Sequence, residues 1–254
     1  MKKILLGAAG LVAALGVVAP ADAADLPART YTKAPAMVAA IYDWSGFYIG
    51  INGGGGSSRE SWNLTNLAGV PVAPAAGEGS HNATGGLVGG QLGYRWQSGA
   101  WVFGVEVQGD WADFKGSNVS QLPAFAGAVT NQTKLDAFGL FTGQVGYAWN
   151  NVLWYVKGGA AVTDNKFTGL TAGVVIDQEN DTRWGGTVGT GLEVSFAPNW
   201  SVAFEYDHLF LGSNSVNFTA PGGGFTRTDS IKQDVDIGSV RVNYRWGGPV
   251  IEKY

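Results

Sequence analysis

From Trp44 to Trp246 the chain is written with a period of two, and one of its two faces is nearly all apolar. Over 100–112 that face reads Trp101, Phe103, Val105, Val107, Gly109 and Trp111. Over 182–196 it reads Trp184, Gly186, Val188, Thr190, Leu192, Val194 and Phe196, and near the C-terminus Gly238, Val240, Val242, Tyr244 and Trp246. Such alternation is the mark of β-strands that keep one side away from water. It predicts eight of them, at 47–54, 85–96, 100–112, 135–149, 152–162, 182–196, 200–208 and 235–246. In all eight the tryptophan-bearing face is expected to be free of Asp, Glu, Lys and Arg.

The opposite face carries Arg95, Glu106, Asp110, Lys157, Glu193, Glu205, Asp207, Arg241 and Arg245, together with Gln91, Gln108, Gln144 and Asn243. Which side faces inward follows from size. The interior of an eight-stranded barrel is just wide enough for side chains, and large rings on every strand overfill it. The apolar face therefore points out, into lipid, where a misplaced charge costs about 2–4 kcal/mol at the midplane. The expected fold class is all-β: an eight-stranded antiparallel transmembrane up-and-down β-barrel.

Composition agrees. Charged residues make up 14 % of the chain, well below the roughly 25 % of soluble domains. Forty glycines and ten tryptophans exclude an unstructured polar chain. The absence of cysteine excludes thiol, zinc-ribbon and disulfide chemistry. A net charge of −4, with no basic run after the leader, offers no footprint for nucleic acid.

The connections fall into two kinds. Gln97-Ser98-Gly99, Asn150-Asn151 and Ala197-Pro198-Asn199 are tight turns. The stretches 58–84, 113–134, 163–181 and 209–234 are expected to be long loops, as on the outer side of a membrane barrel. Trp44, Trp96, Trp101, Trp149, Trp154, Trp200, Tyr244 and Trp246 gather at the short-turn rim, where amphipathic rings prefer the membrane interface, and Trp111 and Trp184 mark the other rim. Met1-Lys2-Lys3, the apolar run Ile4–Ala19 and Ala21-Asp22-Ala23 read as a secretory signal over 1–23, cleaved after Ala23. A flexible periplasmic linker is expected over 24–43, the barrel over 44–246 and a tail over 247–254.

Two motifs carry a family resemblance. Trp44-Ser45-Gly46-Phe47-Tyr48-Ile49-Gly50 opens the first strand, and Val240-Arg241-Val242-Asn243-Tyr244-Arg245-Trp246-Gly247-Gly248-Pro249 closes the last. With them the whole chain resembles the small porin-like outer-membrane proteins of alphaproteobacteria, the rhizobial and brucella-type surface antigens. The resemblance implies an OmpA/OmpX-like eight-stranded barrel in a Gram-negative outer membrane, inserted by the barrel-assembly machinery, with a part in envelope integrity and surface exposure. Some relatives are described as haem-binding and others as porins.

Four functions follow as candidates. A diffusion pore would use the inward charges, four basic and five acidic, but in so narrow a lumen they are expected to pair with one another, because unpaired buried charges are costly. Haem capture would need His81 and His208, the two histidines, with Trp62 or Phe125 stacking. Catalysis lacks a constellation: alternation puts Asp207 and His208 on opposite faces, and no serine is placed as a nucleophile. The glycines at 53–56 and 85–90 precede no helix, so no phosphate loop is expected. There remains a surface protein without cofactor or metal, whose long loops contact a host or phage.

Overall fold

Eight strands pair antiparallel with their sequence neighbours, and the last returns to the first: β1 (Gly46–Leu67), β2 (Val70–Ser98), β3 (Trp101–Val119), β4 (Val129–Trp149), β5 (Val152–Thr171), β6 (Val174–Ala197), β7 (Trp200–Thr219) and β8 (Phe225–Arg245). The ring is closed, in the order β1 to β8, with Gly50 of β1 opposite Gln91 of β2 and Asn243 of β8. The computed structural model describes residues 42–123 and 128–246. The expected signal segment, the linker up to residue 41 and the tail lie outside those residues, as does Phe125.

The phase read from the sequence is the phase observed. Phe47, Ile51, Val88, Trp111, Phe204 and Val240 are exposed on the outside, while Arg95, Glu106, Lys157, Glu205 and Arg241 are buried inside. Two charges depart from the expected pattern: Asp136 faces outward at the register shift between Leu135 and Ala137 of β4, and Asp236 lies on the outward phase of β8 and is exposed. Asp236 belongs to a belt of outward charges, with Arg59, Asp113, Lys115, Asp164 and Lys166. That belt sits just above Trp111 and Trp184 and marks where hydrocarbon gives way to water.

The four long loops are not found. β1 runs 22 residues and β2 29 residues, against the ~10 that cross a bilayer, so the barrel wall continues far beyond the membrane. The first hairpin closes at Ala68-Gly69 and the third at Ala172-Gly173, with all four residues at positive φ, the geometry of two-residue hairpin turns. Only 120–128 and 220–224 connect strands at that end by longer segments. The alternation persists above the belt: Ser58, Glu60, Trp62 and Leu64 point in and are buried, while Arg59, Ser61 and Asn63 point out. Outside the membrane the outer face meets water and takes polar residues, so the apolar signal fades while the strand continues.

The aromatic rim holds with one exception. Trp96, Trp101, Trp149, Trp154, Trp200 and Trp246 are each about half exposed to the outside, linked by ring contacts such as Trp101–Tyr147 and Trp200–Tyr244. Trp44 is not part of it. It is 1 % exposed and turns under the barrel, donating Nε1–H to the Asn150 carbonyl at 3.1 Å and its backbone N–H to Gln97 Oε1 at 2.7 Å. Gly46, at φ +124°, makes that turn: a Cβ there would lie 2.5 Å from the Trp246 carbonyl oxygen.

The buried charge network of the lumen

Inward side chains from all eight strands stack in layers. At the short-turn end, residues 42–45 close the mouth: the Tyr42 and Trp44 rings pack with Val102, Ala148 and Leu153. Arg245 caps them, its guanidinium 4.8 Å from the Tyr42 ring centre and its Nη1–H bonded to the Ser45 carbonyl at 2.7 Å.

Above this plug lies the charge layer. Arg241 bonds Glu106 at 2.6 Å and also holds Glu205. Lys157 Nζ reaches Glu205 at 2.6 Å, Asp207 at 3.2 Å and Glu106 at 3.6 Å. Arg95 pairs with Glu193 at 2.9 Å and lies over the Tyr48 ring at 4.5 Å. Tyr48 donates its hydroxyl to Glu106 and Tyr155 donates to Glu205, each at 2.6 Å. Gln108 donates to Asp110 at 2.9 Å, and Gln91 and Asn243 extend the mesh toward Glu193. All nine charges expected to face the lumen do so, every one at most 5 % exposed.

Tyr48 and Tyr155 were not among the expected lumen residues, though their signal is in the sequence. Tyr48 stands on Gly93 and Tyr155 on Gly191: a Cβ on either glycine would fall within 2.5 Å of the ring above it. Tyr48, Gly93 and Glu106 on β1, β2 and β3 thus recur as Tyr155, Gly191 and Glu205 on β5, β6 and β7, half a turn around the barrel. The interval from Trp101 to Glu106 repeats from Trp200 to Glu205, and this internal echo locates the pair. Arg95 and Glu193 occupy equivalent places in the two halves and bond each other.

An apolar layer covers the charges. Leu87, Phe114, Leu135, Phe138, Leu140, Leu209, Val235 and Ile237 fill the section, all at most 7 % exposed. It interrupts the polar column of the lumen. Beyond it, at and above the outward charge belt, polar and aromatic side chains alternate again. Glu60 bonds Ser58, and Gln233 donates to Ser58 and Asn165 at 3.0 and 2.8 Å. Trp62, Phe167, Phe218 and Ile231 pack above them. Topmost, Arg227 gathers Glu78 at 2.9 Å, Asp177 at 3.1 Å and Asp229 at 3.3 Å, tying β2, β6 and β8 across the outer mouth.

The two histidines do not meet. His81 is inside, its Nδ1 2.8 Å from Asn118 Oδ1 and its Nε2 3.0 Å from Thr133 Oγ1, and burial holds its pKa below the usual value. His208 is on the outer face, 2.7 Å from Asp236. Trp62, expected to be free for stacking in a loop, is 1 % exposed within the aromatic layer. Asp207 and His208 fall on opposite faces, as alternation requires.

Three carboxylates around one guanidinium leave an excess of buried negative charge. Asp229, though 3.3 Å from Arg227, has no aligned hydrogen bond on either oxygen. Burial pushes its carboxyl up to about 7, and burial likewise pushes Glu60 to about 8. Both groups fold most easily when protonated, so their contribution is complete below the ordinary carboxylate range and is lost as pH rises through those values. That end of the barrel is thus expected to loosen as pH rises from about 4 to 8, read by tryptophan fluorescence, since the Trp62 ring lies 5.8 Å from the Arg227 guanidinium carbon. Asp229→Asn should flatten the profile. A higher denaturant midpoint at pH 9 than at pH 5 would contradict the sign.

A closed barrel with a lipid-facing apolar belt, aromatic rims and a polar lumen defines an integral outer-membrane protein. The chain belongs to the outer membrane protein beta-barrel domain family, whose model matches residues 9–245. It is 30 % identical over 225 residues to the 31 kDa outer-membrane immunogenic protein of Brucella melitensis, covering 85 % of this chain and 90 % of that one. It is 31 % identical over 199 residues to the 22 kDa outer membrane protein of Rhizobium leguminosarum, covering 76 % and 77 %. Among solved structures, the outer membrane protease OmpT of Escherichia coli aligns over 79 % of this chain and 97 % of its own, with 8 % identity and a TM-score of 0.49. That likeness of shape speaks to no activity.

Proposed function

We propose that this barrel is a closed, non-catalytic envelope protein, anchored by its lipid-facing belt, whose rigid outer extension presents surface for contact with a host or phage. The carrying observation is the lumen: Arg241 locked between Glu106 and Glu205, beneath an apolar layer that spans the barrel. A conducting pore needs a continuous hydrated path, and both that layer and the Trp44 plug stand across it. The display role is supported by the strands themselves. They carry the hairpin tips Ala68-Gly69 and Ala172-Gly173 well beyond the charge belt and clothe the extension in polar outward residues such as Ser61, Asn63 and Thr182. Insertion by the barrel-assembly machinery fits a chain whose closing pair joins β1 to β8.

The test is electrical. Purified protein in a planar bilayer is expected to show no steady unit conductance, and to show none after Trp44→Ala opens the lower mouth, because the apolar layer remains. Stable open channels in the unaltered protein would overturn the closed-lumen assignment.

A further inference from the structure

The outer wall in the membrane is not uniform. Grooves of about 520, 420 and 400 Å³ indent it, and the smallest gathers the most tryptophan: Trp101, Trp149 and Trp154 line it with Tyr147, and Val145 and Val156 follow toward mid-membrane. Strand register explains the gathering. Tyr147 on β4 stands directly opposite Trp101 on β3 and Trp154 on β5, and Trp149 follows two residues along on the same face. Tyr147 meets Trp101 edge to face at 5.5 Å between ring centres and Trp149 at 5.0 Å. Trp154 is held apart. Its Nε1–H bonds Thr190 Oγ1 at 3.1 Å, which draws the indole toward β6 and leaves the groove between its ring and Tyr147. The Thr190 hydroxyl in turn donates to the Tyr155 carbonyl at 2.9 Å, so the anchor is itself fixed.

Two properties say what such a box takes. It is open and uncharged: Trp101, Trp149 and Trp154 are each about half exposed, and among the described residues no Asp, Glu, Lys or Arg stands on the outward phase of β3, β4 or β5 below the charge belt. An ammonium with N–H groups finds no carboxylate there to accept them. The negative faces of the rings remain, and they hold a cation that has no N–H to satisfy. The box is also continuous with the hydrocarbon. Beyond Val145 and Val156 the next outward pair is Gly143 and Gly158, where an added Cβ would come no closer than 4.0 and 3.5 Å to another residue. An apolar lane thus leads from the rings toward the middle of the bilayer.

We propose that this box binds a phospholipid whose head group carries a quaternary ammonium. The cation sits among Tyr147, Trp149 and Trp154, and one acyl chain lies along the lane over Gly143 and Gly158. The box is at the short-turn rim, so the leaflet that supplies the lipid rests on the proposed function, which turns that rim toward the periplasm. Binding in detergent involves neither a leaflet nor the lumen, so its failure is separate from a failure of the closed-barrel reading.

Native mass spectrometry of the detergent-purified protein decides it, using equal amounts of phosphatidylcholine, phosphatidylethanolamine and phosphatidylglycerol with identical acyl chains. The unaltered protein should retain the choline lipid about two- to fivefold over either competitor, the range an exposed cation–π contact supports. The double change Tyr147→Leu and Trp149→Leu keeps the wall apolar and removes two ring faces, so it should erase that preference while the barrel stays folded. Tyr147→Phe keeps the ring and should keep the preference, as should Trp246→Leu, which removes a rim ring outside the groove. Equal retention of the three lipids, a preference for either competitor, a choline preference that survives the double leucine variant, or one lost equally in Trp246→Leu would overturn the site.

Discussion

Replacing Arg241 with methionine is expected to destabilise the barrel by about 3–5 kcal/mol, the cost of stranding buried charges by removing their partner. The side chain is 1 % exposed and joins β8 to Glu106 on β3 and Glu205 on β7. Without it the two glutamates, with Asp207, are left to Lys157 alone. In unboiled gels the variant should lose the heat-resistant folded band at a markedly lower temperature than the parent. Adding Glu106→Gln and Glu205→Gln should recover much of the loss, because the desolvated charges disappear with their partner. The hydroxyls of Tyr48 and Tyr155 can still donate to the amide oxygens. If the triple variant proves no more stable than Arg241→Met, charge stranding is not the cause, and the network acts through packing alone.

Trp44→Ala should cost nearly as much, about 3–5 kcal/mol for a large ring leaving a packed site. Trp44 fills the lower mouth, and its Nε1–H satisfies the Asn150 carbonyl. The sharper readout is access. The chain has no cysteine, so Ser201→Cys, placed on an inward residue 5 % exposed, reports solvent entering the lower lumen. It should resist a thiol reagent in the parent and react quickly with Trp44→Ala in place. Trp246→Ala, which removes an outward ring, should leave it protected. Equal labelling in all three backgrounds would show that residues 42–45 do not seal the mouth.

The family relationship and the fold agree with what alternation alone implies, and the reason is chemical. In hydrocarbon an outward residue has few permitted identities, so the sequence between the tryptophan rims is tightly constrained and easy to read. Phe47 to Ile51, Trp101 to Trp111 and Val240 to Trp246 each obey that constraint, and each lies where it was placed. Above the belt the constraint lapses. Arg59, Ser61 and Asn63 face water from a strand as comfortably as they would from a loop, so the strands that fill most of 58–84, 113–134, 163–181 and 209–234 leave no apolar mark.

The lumen was legible by residue and not by partner. That Arg95, Glu106, Lys157, Glu193, Glu205 and Arg241 face inward follows from their phase, and that they pair follows from the cost of leaving them alone. Which carboxylate meets which base does not follow, because contacts across the bore join strands distant in sequence, as β8 joins β3 through Arg241 and Glu106.

From the order of its residues alone this chain determines a strand period, a lipid-facing side, the number of strands and the set of charges enclosed. Each depends on neighbours two residues apart and on the solvent a side chain tolerates. Only closure of the barrel decides that Trp44 turns inward, that Tyr48 and Tyr155 stand on glycines across the strand, and that an apolar layer divides two polar chambers. Those outcomes depend on the register of eight strands and the width of the space they surround, and no local stretch of sequence contains either.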